Sequence, residues 1–163
     1  EQVDQYVDEM QQALGIKVQK CASPEEVVLQ SDFVVTTTPS RQPYLKAEWL
    51  RPGMHITCMG SDGEHKQELH ADVIGRADRL VCDSKAQCFR VGELHHALDA
   101  GMINEDDEIF ELGELISGRK PGRLSETEIT ICDLTGVGVQ DTAIALLTYE
   151  RARAKGLGAI FEV

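Results

Sequence analysis

The sequence contains few aromatic and few basic residues, and both shortages exclude classes of protein. Of its 163 residues, only four Phe, three Tyr and one Trp are aromatic, and 16 Lys and Arg stand against 28 Asp and Glu. The formal charge of −12 argues against nucleic-acid binding, which needs clustered positive charge, and against electrostatic attachment to a membrane. No apolar run approaches the roughly 18 residues of a membrane-spanning helix. We therefore expect neither nucleic acid nor membrane as a partner.

The sequence also lacks the cysteine spacings that indicate disulfides or zinc. It has five cysteines, an odd number, and no Cys-x-x-Cys pair. Cys58, Cys82 and Cys132 lie in apolar, strand-like runs, which predicts buried free thiols in the reducing cytoplasm. His95 and His96 are adjacent, and neighbouring helical positions point about 100° apart, so one ion is a poor fit to both. We predict no metal site.

Strand-like and helix-like segments alternate along the whole chain. The predicted strands cover residues 32–37, 55–59, 79–82 and 128–134, with a weaker one at 16–21; the predicted helices cover 3–14, 24–30, 69–77, 86–100, 110–116 and 139–155. This alternation is typical of βαβ units. The sequence therefore predicts an α/β fold with a doubly wound, mostly parallel sheet flanked by helices.

In such sheets ligands bind beyond the carboxyl ends of the strands, and the segment 60–69 is the richest of these strand exits. Gly60 and Ser61 are small enough for a close approach of the backbone to a flat ligand. Asp62 could give or take a proton, and Lys66 could meet a polar ligand group. A solvated, charged turn is the alternative interpretation.

Two further strand exits carry weaker signals. The hydroxyl groups in 36–40 could bind a ribose or a carboxamide, although threonines also favour strands. The segment 133–139 resembles half of a phosphate-binding turn, but Asp133 and Asp141 would repel phosphate. A neutral part of a ligand, or a packing turn, fits those charges better. The basic loop 119–123 is more typical of a solvated loop than of an anion site.

Three motifs together resemble one protein family. They are GSDGEHKQEL at 60–69, GELHHALDAG at 92–101 and EITICDLTGVGVQDTAIA at 128–145. In this order they resemble the C-terminal half of the ornithine cyclodeaminase/mu-crystallin family, over residues 18–155. Within the family, the chain is most similar to cyclodeaminase-like proteins associated with ectoine utilisation.

The resemblance implies a domain organisation. Residues 1–156 would form the C-terminal portion of an NAD(P)-binding Rossmann domain, an incomplete Rossmann-like sheet, and residues 157–163 a tail returning towards a missing substrate and dimerisation domain. The family's glycine-rich pyrophosphate turn and its residues for the substrate carboxylate would lie upstream. So would the residue that separates NAD from NADP, so NAD is expected and NADP is not excluded. The chain also begins inside a predicted helix that has no capping residue, which again indicates a C-terminal fragment.

The resemblance also implies roles for individual residues. Asp62 matches the catalytic carboxylate, and Thr135 matches a position that touches substrate. Leu134 stands where ornithine cyclodeaminase has a serine on the cofactor. The positions expected to bind cofactor are Thr38, Cys58, Met59, Gly60, Lys66 and Leu134, with Cys58, Met59 and Gly60 acting through their backbone.

The implied activity is that of an NAD-dependent amino-acid cyclodeaminase, an ammonia-lyase. In that reaction the amino acid is oxidised to an imine, its distal amine closes a ring with loss of ammonia, and the hydride returns. The full-length protein would be a cytoplasmic homodimer acting on a small amino acid, and the fragment alone would be inactive. Because Leu134 departs from the family pattern, two alternatives stay open: an NAD(P)-dependent amino-acid or imine dehydrogenase, and a non-catalytic mu-crystallin-like binding protein.

Overall fold

The chain folds around a five-stranded parallel sheet in a computed structural model that describes residues 2–159 and 161. The strand order is β1-β2-β5-β3-β4, and every neighbouring pair is parallel. The strands are β1 (Phe33–Thr36), β2 (His55–Cys58), β3 (Arg79–Cys82), β4 (Ile109–Glu111) and β5 (Thr130–Asp133). The predicted α/β fold with a parallel sheet is confirmed.

Seven α-helices connect and flank these strands. They are α1 (Gln2–Leu14), α2 (Pro24–Leu29), α3 (Ala71–Ile74), α4 (Lys85–Val91), α5 (Glu93–Asp99), α6 (Leu112–Ile116) and α7 (Gly138–Ala154), with a 3₁₀ turn at Ala47–Trp49. The start of α2 follows from local chemistry, because the Ser23 hydroxyl accepts a hydrogen bond from the Glu26 amide and Pro24 occupies the first turn. Neither α1 nor α7 buries a side chain among the described residues.

The main core lies on one face of the sheet. Ile56 of β2 and Ile131 of β5 are fully buried there against apolar side chains from the helices and loops. Burying one such side chain contributes roughly 1.5–3 kcal/mol. A smaller cluster on the other side of the sheet contains Val81, Phe110 and Cys132. Four of the cysteines, at 58, 82, 88 and 132, are buried free thiols, and Cys21 is half-buried.

Two segments differ from their predicted structure because of their neighbours in the sheet. Residues 16–21 were predicted as a weak strand but form none; no described strand pairs with them, and the Val18 amide donates to the Gln11 side chain instead. The segment 110–116 was predicted as a helix, but its first residues complete β4. Phe110 lies in register with Val81, and a short buried apolar run is ambiguous between strand and helix.

The predicted helix over 86–100 is two helices, because the chain breaks at Gly92. Its backbone is extended there (φ −88°, ψ −172°). A Cβ atom at this position would overlap with the Asp133 carboxylate. The break leaves the Leu94 amide free to donate to Asp133 Oδ2 at 3.0 Å. Packing against the end of β5 therefore determines where α5 begins.

The loop 119–123 and the tail 157–163 complete the description. Arg123 donates hydrogen bonds to the carbonyl oxygens of Gly53 and Met54 and to the Thr130 hydroxyl, so it fastens this loop to the amino ends of β2 and β5. Three residues of the predicted tail, 160, 162 and 163, lie outside the described residues. None of the described helices is long and apolar enough to cross a membrane.

Candidate active site at the carboxyl edge of the sheet

The ends of four strands form one continuous edge. The Met59 amide donates to the Thr36 carbonyl at 2.9 Å, and the Leu134 amide donates to the Cys58 carbonyl at 2.8 Å. The Asp83 amide donates to the Asp133 carbonyl at 3.2 Å. The exits of β1, β2, β5 and β3 therefore lie side by side, as expected for parallel strands.

Asp62 and Lys66 form an ion pair at this edge. The Lys66 ammonium donates to Asp62 Oδ1. The Lys66 side chain is 28% exposed and the Asp62 side chain 52% exposed. The hydrogen bond from Lys66 lowers the pKa of Asp62 below its ordinary value, and burial of this carboxyl opposes that effect without cancelling it. Asp62 is consequently an ionised, accessible carboxylate at neutral pH.

The loop that carries this pair is fixed through the Lys66 carbonyl oxygen. It accepts a hydrogen bond from the Ser61 hydroxyl at 2.6 Å and lies 2.7 Å from His96 Nε2, which therefore carries a hydrogen. His95 Nδ1 lies 3.3 Å from the Phe89 carbonyl oxygen. The two histidines thus bind backbone, and among the described residues no group of three or more His, Cys, Asp or Glu is arranged to hold a metal.

Glu68 links the ends of β1 and β2. Its side chain is fully buried, and Oε1 accepts hydrogen bonds from the Thr38 amide at 2.6 Å, the Thr38 hydroxyl at 2.7 Å and the Tyr44 hydroxyl at 3.0 Å. Oε2 accepts the Gly60 amide at 3.0 Å. Thr38 and Gly60, both predicted to bind cofactor, are therefore held by one carboxylate.

Two further buried acids support this edge from α5 and β5. Glu93 accepts the amides of Glu68 at 2.7 Å and Leu69 at 3.3 Å, and burial raises the pKa of Glu93 to about 8. Asp133 is bound by the Leu94 amide through Oδ2, while its buried Oδ1 has no partner among the described residues. Burial raises the pKa of Asp133 to about 7.

These raised pKa values predict a pH-dependent stability. The folded state binds more protons than the unfolded state at Glu93 and Asp133, so both contributions to stability are lost as the pH rises from about 5 to about 8. Burial lowers the pKa of His55, and this effect acts in the opposite direction below the ordinary histidine pKa. We therefore expect the free energy of unfolding of wild type, relative to Glu93→Gln, to fall by roughly 3–4 kcal/mol over this interval.

Urea unfolding of both proteins at a series of pH values measures this difference. Because His55 is present in both, its contribution cancels. Parallel curves for wild type and Glu93→Gln would show that Glu93 does not take up a proton on folding.

Thr135 is turned towards β3. Its hydroxyl donates to Asp83 Oδ1 at 3.1 Å, and the amides of Thr135 and Gly136 both donate to Asp83 Oδ2. Gln87 Nε2 donates to the same hydroxyl at 3.1 Å. Asp83 thus organises the turn after β5, which supports the packing-turn interpretation of 133–139. No hydrogen bond joins Thr135 to Asp62 or Lys66 among the described residues.

The remaining predicted cofactor positions differ in what they expose. Met59 is 51% exposed. Cys58 is fully buried, burial raises the pKa of its thiol well above the ordinary value, and its carbonyl already accepts the Leu134 amide. The Leu134 side chain packs against the smaller apolar cluster. The edge therefore offers the exposed Met59 and Thr38 to a ligand more directly than the buried Cys58 and Gly60.

A groove of about 700 Å³ runs along the outer side of β1. Thr36, Thr38 and Tyr44 contribute to its walls, and most of the lining is apolar. Its volume falls within the range of small-molecule sites, roughly 300–1,000 Å³. Asp62, Lys66 and Thr135 do not line it, so the groove is separate from the ion pair.

Three acids that organise the edge were not predicted from the sequence. Glu68 and Glu93 each occur within a motif that was singled out, and Asp83 lies at a predicted strand exit. Gly60 lies only eight residues from Glu68, but the other partners described above lie 24 to 53 residues away in the chain. The one local signal is an apolar residue next to each acid, and exposed acids often have such a neighbour as well.

Comparison with known proteins agrees with this fold. A solved archaeal alanine dehydrogenase dimer with bound NAD is 39% identical, with a TM-score of 0.88, and the match covers 98% of this chain and 48% of that one. The Delta(1)-pyrroline-2-carboxylate reductase of Thermococcus litoralis, solved with NADH and L-proline, is 31% identical with a TM-score of 0.92, over 97% and 49% of the two chains.

A curated relative is more similar in sequence. An uncharacterized cyclodeaminase of Sinorhizobium fredii is 54% identical over 139 residues, which are 85% of this chain and 42% of that protein. The chain thus spans less than half the length of the relatives it matches. The model of the ornithine cyclodeaminase/mu-crystallin family matches residues 1–156, so this chain belongs to that family.

Proposed function

We propose that this chain is the nicotinamide side of an NAD-dependent enzyme that transfers a hydride between nicotinamide and the α-carbon of a small amino acid or its imine. The observation that carries the proposal is the meeting of the ends of β1, β2 and β5 beside the accessible Asp62–Lys66 pair. Relatives with this fold have been solved with NAD or NADH. When bound, NAD would supply the hydride acceptor or donor.

The charges at the edge fit the nicotinamide half of the cofactor. Asp62 and Lys66 form a nearly neutral pair, and Asp83 lies at the end of β3 on the same edge. An uncharged carboxamide and ribose can approach such an edge, whereas a diphosphate would be repelled by the carboxylates. The diphosphate is better bound by the part of the protein that this chain does not include.

The residues of this chain would divide the work. Asp62, held ionised by Lys66, would take and return protons at the reacting substrate and orient water. Thr38, Met59 and Gly60 would contact the nicotinamide portion from the ends of β1 and β2. Thr135 would contact substrate, although its hydroxyl hydrogen is already donated to Asp83.

The full-length protein would supply the residues that this chain lacks. Exposed apolar side chains on α7, such as Val139 and Ile144, and on α1, such as Tyr6, offer surface for contact with the rest of the protein. We infer a cytoplasmic homodimer, in which residues 157–163 lead back towards the substrate domain.

A second candidate activity is cyclodeamination, which would start with the same oxidation of the amino acid to an imine. It is favoured by 54% identity to the cyclodeaminase of Sinorhizobium fredii. Leu134, which packs into an apolar cluster, cannot donate a hydrogen bond to the cofactor as a serine would, and this favours a dehydrogenase over strict ornithine cyclisation. An ectoine-derived diamino acid is the substrate class that the ectoine branch of the family would suggest.

Product analysis separates the two activities. The full-length protein is incubated with NAD and with alanine, proline, ornithine or 2,4-diaminobutyrate, and NADH and ammonia are both measured. A dehydrogenase accumulates NADH, whereas a cyclodeaminase releases ammonia with no net NADH. The 163-residue chain alone is expected to bind NAD weakly and to turn over nothing. Failure of the full-length protein to bind NAD would overturn the proposal.

A further inference from the structure

We propose that Glu68 is a positioning residue that sets the spacing between the two strand ends that contact the cofactor. The inference rests on the proposed function, because it assigns a role at that same site. Glu68 itself is fully buried and does not reach the surface where a ligand would lie. Its effect would be exerted through Thr38 and Gly60.

The hydrogen bonds of Glu68 span the gap between β1 and β2. One carboxylate oxygen binds the amide and hydroxyl of Thr38 and the hydroxyl of Tyr44, and the other binds the amide of Gly60. The strands themselves pair only as far as Thr36 and Cys58. Beyond these residues, the Glu68 carboxylate, instead of strand pairing, joins the segments that contain Thr38 and Gly60.

A carboxylate suits this position better than an amide would. All four groups that face Glu68 donate a hydrogen, and two of them are backbone amides that can only donate. None of the described ion pairs includes Glu68. The cost of burying its carboxylate is therefore offset by these four hydrogen-bond donors. Multiple hydrogen bonds to the charged form can satisfy a buried carboxylate.

The close approach of Glu68 and Thr38 to position 60 leaves room for glycine but not for a larger residue. A Cβ atom there would overlap with both the Glu68 carboxylate and the Thr38 carbonyl oxygen. Gly60 therefore allows the end of β2 to approach Glu68 and Thr38 at the same time. The backbone of Glu68 is itself fixed, because its amide donates to Glu93 Oε1 at 2.7 Å.

The substitution Glu68→Gln tests the proposal. The glutamine oxygen can keep Thr38 and Tyr44, but its NH₂ group then faces the Gly60 amide, donor against donor. We expect hydrogen exchange at the Gly60 amide of the 163-residue chain to accelerate at least about tenfold, with the amides of β2 unchanged. In the full-length protein we expect the KM for NAD to rise about tenfold and kcat to change less than about threefold.

Two further variants keep the test decisive. Glu68→Asp retains the charge but is one methylene shorter, so it should also fail to bridge Thr38 and Gly60 and should raise the KM for NAD. Glu108→Gln removes an exposed carboxyl beside β4 and should leave KM, kcat and Gly60 exchange as in wild type. Should Glu68→Gln prove unstable, Glu68→Asp provides the same measurement.

The outcomes separate the two proposals. Unchanged exchange at Gly60 and an unchanged KM for NAD in both Glu68 variants would overturn the positioning role. A large loss of kcat and of thermal stability together with the loss of NAD affinity would also overturn it, because that result would indicate a general structural defect. If the wild-type full-length protein binds no NAD, the proposed function fails, and Gly60 exchange still decides whether Glu68 holds the two strand ends.

Discussion

Replacing Asp62 by Asn in the full-length enzyme is expected to lower kcat by about 10²- to 10⁴-fold, the range typical of removing a general acid or base. An amide has nearly the shape of the carboxylate but can neither take nor return a proton at neutral pH. Asp62 is largely exposed and its pKa is lowered by Lys66, so the substitution removes little packing. NAD affinity should therefore stay within several-fold of wild type, as measured by fluorescence titration.

Asp106→Asn is the matched control for this experiment. Asp106 is exposed in the loop before β4, and its substitution makes the same change of one charge away from the edge. Its kcat should equal that of wild type. Unchanged kcat in Asp62→Asn would remove Asp62 from the mechanism, and a loss of the same size in both variants would indicate a nonspecific effect of charge.

Replacing Gly60 by Ala is expected to destabilise the fold by about 3 kcal/mol, which is the upper part of the usual range for overpacking a well-packed site. The new methyl group would overlap with the Thr38 carbonyl oxygen and the Glu68 carboxylate. Moving either group breaks hydrogen bonds to a buried charge. A lower urea midpoint with an unchanged m value would identify this as a change in stability.

Gly113→Ala provides the opposite expectation with the same chemical change. Gly113 lies in α6 with nothing within 4 Å of an added Cβ. Alanine in a helix is favoured over glycine by roughly 0.5–1 kcal/mol, so this variant should be slightly more stable than wild type. Equal destabilisation of both variants would contradict the close approach at Gly60.

Four of the five strands, all except β4, and their exits were predictable because they depend on local patterns. The runs at 32–37, 55–59 and 79–82 are rich in apolar and β-branched residues, and each is followed by a small or polar residue. Parallel pairing then places the exits at one edge whatever the strand order. The order β1-β2-β5-β3-β4 is a matter of long-range packing, which no local pattern contained.

The network behind the edge could not be predicted for the same reason. Glu68 and Glu93 are acids in motifs that otherwise read as charged turns and helices, and only the fold reveals that they are buried. The break at Gly92 likewise depends on the Asp133 side chain, 41 positions further along the chain by residue number. Sequence patterns thus predicted the segments at the carboxyl edge of the sheet, whereas the buried acids that hold these segments in place were found only from the coordinates.

The Thr38 hydroxyl has one hydrogen, and it points at Glu68. The amide of Ser40 donates to Thr38 Oγ1 at 3.3 Å. One lone pair of that hydroxyl oxygen is then left unused. Whatever atom meets Thr38 from the solvent side must therefore bring its own hydrogen, as an amide nitrogen or a sugar hydroxyl does. A carbonyl or carboxylate oxygen could not accept a hydrogen bond from Thr38 Oγ1, because its only hydrogen is already donated to Glu68.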